Sequence, residues 1–473
     1  MHHRVVFSLL AAFAVARAAA FSCDVVDDPT EGAMTASESA FRMLERDGWS
    51  RERGIMQFTH DVNDNADISE YGYPGAMLYA RPSFAGGLSP VFRLGPSDAL
   101  VITICTPPPT RYFGLSTYVW RRQGISLPTS RVVSATCSNN HVNSRTMRSG
   151  YPSFDEPMVL VSTGDAATFD VVSDAFVSAG VPKEAVNLEA LPIDRVNFGR
   201  SLIFDRADEL TFSFRVYDSN TREYAKRTWS SVMILRSPRG GSRFIRPIDP
   251  IAVKSPLPPQ QIPTDESRLK FAAGVLGSSI EDQLVAAGFK LTKRGTMTPV
   301  SVDRDRCLTD GGYSPFRFAG ASNINIRSGC FGETSDCAYT ISSRSISADV
   351  PFIAVFVGAD HVKLGNAEFS NLAAYHTGGA LSFVSAAAVR VAAFADDRMW
   401  TRNDSSGLFA HAFASPGLCE TFDEGSGISC VEVPTAAGDE RIFIGRSYID
   451  PSTGTAPNAE QLLPINVDYF TPA

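Results

Sequence analysis

Between Pro247 and Pro263 the chain carries six prolines, at positions 247, 250, 256, 258, 259 and 263. Proline fixes φ and has no backbone N–H, so neither a helix interior nor a central strand accommodates such a density. The segment 247–264 therefore reads as an extended linker, stiffened towards polyproline geometry. Cutting 473 residues at this point leaves two pieces of similar size, each long enough to bury its own core. The expected organisation is a leader over 1–20, one domain over 21–246, the linker over 247–264 and a second domain over 265–473.

The leader follows from the N-terminus. His2, His3 and Arg4 precede an apolar run from Val5 to Val15, and small residues continue to Ala20. This is the order of a secretory signal peptide, too short to span a bilayer, with Ala18-Ala19-Ala20 as the cleavage pattern. The mature chain is expected to start at Phe21 as a soluble protein, secreted or held in the lumen of the secretory pathway. Ala-x-Ala followed by Phe also resembles the plastid-targeting junction of algae with secondary plastids, which implies a plastid as the alternative address. Against that stands the acidic run Asp24, Asp27, Asp28 and Glu31, since transit peptides are poor in acids.

Losing Arg4 and Arg17 with the leader leaves 41 basic against 51 acidic residues, which excludes a general nucleic-acid binder. Eight cysteines in an oxidising compartment point to disulfides. Cys330 with Cys337, and Cys419 with Cys430, are close enough to staple local loops. Cys105 with Cys137 is a third pairing, leaving Cys23 and Cys307 as partners of each other or as thiols. No spacing suits structural zinc.

The secondary-structure pattern mixes both types. Thr35 and Glu38 form a capping-box signature for a helix over 36–47. Met158–Val161, a helix stopped by Gly180, and Val186–Leu188 read as strand, helix and strand. Leu210, Phe212, Phe214 and Val216 alternate with polar residues, as in a strand with one buried face. Pro351–Val357 reads as a fully buried strand. The phrase Asp174-x-Phe-Val-Ser-Ala-Gly180-Val is echoed by Asp282-x-Leu-Val-Ala-Ala-Gly288-Phe, which either marks a duplication or is a cheap product of helices closing on glycine. The expected fold class is α+β, two sheet-rich mixed domains of similar size, stapled by disulfides.

The oxygen-richest segment runs from Asp61 to Glu70. Asp61, Asn63, Asn65, Asp67 and Glu70 offer side-chain oxygens at alternate positions, the way a loop curls round calcium. Ala66 and Gly72 stand where an EF-hand needs glycine and a bidentate glutamate, so the expectation is a non-EF calcium loop, with a plain solvated loop as the alternative. Calcium is the cofactor this implies.

Asp360 and His361 follow the apolar strand, with Ser370 and His376 beyond. A carboxylate beside an imidazole suits a general base, and a serine in reach suits a nucleophile, so Asp360, His361 and His376 are the candidate catalytic residues. A hydrogen-bonded strand cap is the competing reading. Gly-x-Ser-x-Gly, His-Glu-x-x-His and phosphate-binding glycine loops are all absent. Between Arg222 and Arg246 the chain concentrates Arg222, Lys226, Arg227, Arg236, Arg239, Arg243 and Arg246, a candidate surface for an anionic ligand. Tyr112, Phe113 and Trp120 read as core aromatics or as a sugar-stacking ledge. Asn403-Asp404-Ser405 is an acceptor for N-glycosylation in an exported glycoprotein. Two functions remain: a secreted binding or structural protein stabilised by calcium, and a secreted hydrolase using Asp360, His361 and His376.

Overall fold

The computed structural model describes residues 23, 30–60, 78–84, 90–123, 130–140, 142–147, 154–199, 207–217, 224, 228, 230–239, 245–248, 266–300, 308, 334, 336–342, 345–347, 349–376, 390–396, 401–403, 407–422, 428–434, 440–458 and 461–473. It divides into two compact units that part between Lys254 and Ser255.

The first unit opens with helix α1 (Thr30–Arg46) and strands β1 (Ser50–His60), β2 (Leu78–Ser83), β3 (Ala99–Cys105) and β4 (Tyr112–Gln123). Strands β5 (Ser130–Thr136), β6 (Val142–Asn143) and β7 (Pro157–Thr163) follow. Helix α2 (Ala166–Ser178) then leads to β8 (Val186–Ala190), β9 (Glu209–Tyr217) and β10 (Ser230–Arg236). One sheet takes them in the order β5-β4-β9-β2-β1-β10-β3-β7-β8, with β6 paired to β4. Only β8 runs parallel to its neighbour, β7, because α2 provides the crossover between them.

The second unit starts with α3 (Lys270–Ala286), β11 (Phe289–Val300), β12 (Cys337–Ser342), β13 (Ile346–Ser347), β14 (Ile353–Ala359) and β15 (Phe369–His376). It continues with β16 (Arg390–Asp396), β17 (Thr401–Asn403), β18 (Leu408–Ala414), β19 (Ser429–Glu432), β20 (Glu440–Tyr448) and β21 (Asn466–Pro472). The sheet order is β16-β15-β20-β12-β11-β21-β14-β18-β17, and β19 lies parallel to β18.

These two paths agree over their first eight places. Replacing β5 by β16, β4 by β15, β9 by β20, β2 by β12, β1 by β11, β10 by β21, β3 by β14 and β7 by β18 turns one order into the other up to its last place, where β17 ends the second path and β19, beside it on β18, pairs in parallel as β8 does with β7. Register agrees as well. Seven residues of β3 face seven of β7, Ala99 opposite Thr163 and Cys105 opposite Pro157. Seven of β14 face seven of β18 in the same way, Ile353 opposite Ala414 and Ala359 opposite Leu408. Each unit begins with a helix that ends at a glycine in the left-handed region, Gly48 at φ 89° and Gly288 at φ 88°, where a side chain would be strained. The echo seen in the sequence thus joined the wrong helices: α2, which ends before Gly180, leads into β8, whereas α3 is the counterpart of α1.

The fold is mostly β, which overturns the α+β expectation. The described helices lie against one side of their sheets. Ala99, Val101, Val159 and Val161 share a core with Phe41 of α1 and Phe176 of α2, whose rings meet edge to face. Ile353, Val355 and Val357 share one with Ile280 and Leu284 of α3. The opposite sides close on themselves: Phe356, Ala374, Phe413, Val431 and Phe443 come from five strands yet form one cluster. Curling buries strands on both faces and erases the period-two signal. Thus β9 is buried from Leu210 to Tyr217, polar positions included, where the sequence suggested one solvated face.

Helix α1 begins earlier than expected, so Thr35 is no N-cap. Glu38 instead accepts from Arg51 Nη1 at 2.8 Å and Nη2 at 2.9 Å, tying the helix to β1.

Candidate functional site

Asp360 and His361 sit where β14 runs out, both buried. Asp360 shapes the turn. Its backbone N–H donates to Gly407 O at 2.8 Å, and its Oδ1 accepts from Lys363 N at 3.0 Å. His361 faces a residue that no local pattern revealed. Its Nδ1 lies 2.8 Å from Glu266 Oε1 and 2.9 Å from Oε2. Glu266 is fully buried and also accepts from Asn366 Nδ2 at 2.8 Å and from Leu463 N at 2.7 Å. It belongs to a short 3-10 turn (Glu266–Leu269) immediately before α3, so the contact pins the start of that helix to the end of β14.

His376 is the last residue of β15, seven residues beyond Phe369, where the loop from His361 arrives. At roughly 3.3 Å per residue this is about 23 Å of strand. Register sets it beside Arg390 and Arg441. His376 thus stands at the far end of β15 from Phe369. Ser370 lies in the sheet, its hydroxyl donating to Ser447 Oγ at 3.1 Å.

Asp61, Asn63, Asn65, Asp67 and Glu70 fall outside the described residues, as do Arg222, Lys226, Arg227 and Arg243. Among the described residues no group of three or more His, Cys, Asp or Glu side chains could hold a metal. The described members of the basic segment have carboxylate partners within their own unit. Arg236 pairs with Asp98 at 2.9 Å, Arg239 with Asp165 at 3.4 Å, and Arg246 with Asp170. Tyr112 and Phe113 are buried core residues.

Among the described residues two disulfides are present, Cys23–Cys105 and Cys419–Cys430. The second matches the sequence reading and the first replaces the pairing of Cys105 with Cys137. Cys105 ends β3 and Cys137 follows β5, six places away in the sheet order. Cys137 and Cys337 are buried thiols, so Cys337 does not pair with Cys330. Cys337 opens β12, opposite Tyr448 of β20, and sheet pairing fixes its place.

A second polar cluster lies inside the first unit. Glu189 of β8 is fully buried and accepts from Thr117 N at 2.6 Å, Thr117 Oγ1 at 2.6 Å and the Ser162 hydroxyl. Burial pushes its carboxyl up, against the bonds from Ser162 and Thr117, which pull it down. In sequence, Glu189 looks like any acid in a short strand.

No family model matches the chain, and no curated protein matches it. Among solved structures, an uncharacterised protein from Burkholderia cenocepacia is similar over 94% of this chain and 91% of its own, at 12% identity and a TM-score of 0.37. A tandem CBM22 segment of Xyn10C from Paenibacillus barcinonensis covers 90% of this chain and 93% of its own, at 9% identity and a TM-score of 0.16. Neither likeness is close enough to carry a fold or a function across. Among the described residues no helix is long and apolar enough to cross a membrane.

Proposed function

We propose that this chain is an exported binding or structural protein made of two β units, with calcium at the Asp61–Glu70 segment as a stabilising ligand. The observation that supports a non-catalytic reading is the Glu266–His361 contact. A general base needs a ring nitrogen within reach of a substrate, and although a carboxylate at Nδ1 would suit such a base, this ring is buried and the same carboxylate also holds Asn366 and Leu463. Its evident task is to latch a helix. Export is supported by the two disulfides, since such bonds persist in oxidising compartments.

The experiment is expression through a eukaryotic secretory pathway. Protein recovered from the medium should begin at Phe21, retain both disulfides, and turn over nothing in a panel of esters and glycosides. Turnover that disappears in His361→Asn, with the melting temperature unchanged, would overturn the reading.

A further inference from the structure

The shared path of the two units allows their interiors to be compared position by position. Ser162 of β7 lies opposite Glu189 of β8, and at the same register Phe413 of β18 lies opposite Val431 of β19. Thr117 of β4 faces Phe212 of β9, as Ala374 of β15 faces Phe443 of β20. So the trio Thr117, Ser162 and Glu189 has Ala374, Phe413 and Val431 as its counterpart, and those three pack together in one apolar core. The fold itself does not require polar groups there.

The backbone shows why the first unit has them. On one edge of β4, β6 pairs with Gly114 and Leu115, while β5 pairs from Tyr118 onward. Thr117 falls in the gap. Its carbonyl accepts from Cys137 N at 3.0 Å, and its N–H is met by the Glu189 carboxyl instead of a strand. In the second unit β16 pairs with β15 across Asn371–Ala374, so the counterpart of Thr117 has a strand beside it. β4 and β8 stand near opposite ends of the sheet order, and Glu189 is thus a side chain that closes the curl where a strand does not.

We propose that Glu189 is a proton-controlled clasp that closes the first unit's sheet between β4 and β8. The groups facing it are the Thr117 amide and hydroxyl from β4, the Ser162 hydroxyl from β7 and the Ser138 hydroxyl just past β5, with Leu100 and Phe212 as the cross-strand neighbours of Ser162 and Thr117. The Cys137 thiol donates to the Thr117 carbonyl at 3.4 Å. None of these is a cation, and a buried carboxylate without one is costly, so the closed form keeps the proton. Because the folded state raises the affinity of this carboxyl for its proton, the stabilisation is complete below the ordinary glutamate range and is lost as pH rises through the folded value. High pH opens the clasp; low pH holds it.

The test is urea unfolding of the full chain at pH 5, 7 and 9, followed by pulsed hydrogen–deuterium exchange with mass spectrometry, so that peptides from β4, β7 and β8 are read apart from those of β15, β18 and β19. The first unit's folding constant should fall by up to about tenfold per pH unit once pH exceeds the unfolded value, the limit for one linked proton. In the second unit burial also pushes up the Asp468 carboxyl, which is only half-buried, with Arg294 pulling it down, so its slope should be shallower. In Glu189→Gln, which keeps the shape and loses the proton, the first unit's pH dependence should flatten. A first unit indifferent to pH, an increase in its stability with pH, or the same slope in Glu189→Gln overturns the proposal. Should the glutamine variant not fold, the wild type decides alone: exchange protection of the β4 and β8 peptides should fall from pH 5 to pH 9, and protection that stays constant overturns the proposal.

Discussion

His361 presents its Nδ1 to both oxygens of Glu266 across 95 residues of sequence, at 2.8 and 2.9 Å. Cys23 and Cys105 make the corresponding join in the first unit. There Cys23, seven residues ahead of Thr30 where the first helix starts, is tied covalently to the last residue of β3, while Glu266 lies before α3 and His361 just past β14. The same corner is held by a disulfide in one unit and by a buried carboxylate in the other.

Removing the carboxylate should therefore loosen the second unit specifically. Glu266→Ala leaves three buried donors, on His361, Asn366 and Leu463, with no acceptor, at an expected cost of about 3–5 kcal/mol. Urea midpoints from peptides of α3 and β14 provide the measurement. A loss under 1 kcal/mol would show that the corner is held by packing alone.

The two disulfides should rank by the loop they close. Cys23–Cys105 spans 82 residues and Cys419–Cys430 spans 11. Constraint of the unfolded chain then predicts about 4.5 kcal/mol for the first and about 3 kcal/mol for the second. Denaturation of Cys23→Ser and Cys430→Ser gives the order, and a larger loss in the latter contradicts it.

The tie between α1 and β1 should depend on pH. The hydrogen bond from Arg51 holds the Glu38 carboxyl below its ordinary value, with Arg51, Arg53 and Arg42 adding attraction, so its contribution is present at neutral pH and lost as pH falls through the folded value. Glu38→Gln should cost at most about 1 kcal/mol at pH 7, as expected for a pair near the surface. Melting curves of the variant and wild type should converge in acid, and a gap that persists there rules out the ionic origin.

Calcium binding is open to direct measurement. Added calcium should raise the melting temperature and a chelator lower it, with Asp61→Ala or Asp67→Ala removing the difference. Identical melts with and without the ion would eliminate the site.

Several elements were legible because their signals are local. The strand, helix and strand ending at Val186–Ala190, the stop at Gly180, the buried run of β14 and the staple Cys419–Cys430 each occupy a short window of sequence. The repeat was visible only faintly and in the wrong place. A better signal was available in β9 and β20, where Glu209-x-x-Phe212-x-x-Arg215-x-Tyr217 recurs as Glu440-x-x-Phe443-x-x-Arg446-x-Tyr448. Their register with the neighbouring strand is also shared, Tyr217 opposite Tyr112 and Tyr448 opposite Phe369.

The candidate site was half legible. Asp360 and His361 were found because they end a buried strand, but Glu266 gives no local hint that it is their neighbour. Glu189 was missed for a related reason: an acid in a short strand looks solvated until the curl of the sheet encloses it.

By itself, then, the sequence determined the local elements and the nearby disulfide, because periodicity, glycine stops and short loops act within a few residues. Only the tertiary structure decided the mostly-β class, the pairing of Cys23 with Cys105, and the polar contacts of Glu266 and Glu189. Those depend on which distant strands meet when a sheet closes, and the pattern along any one strand does not name its partner.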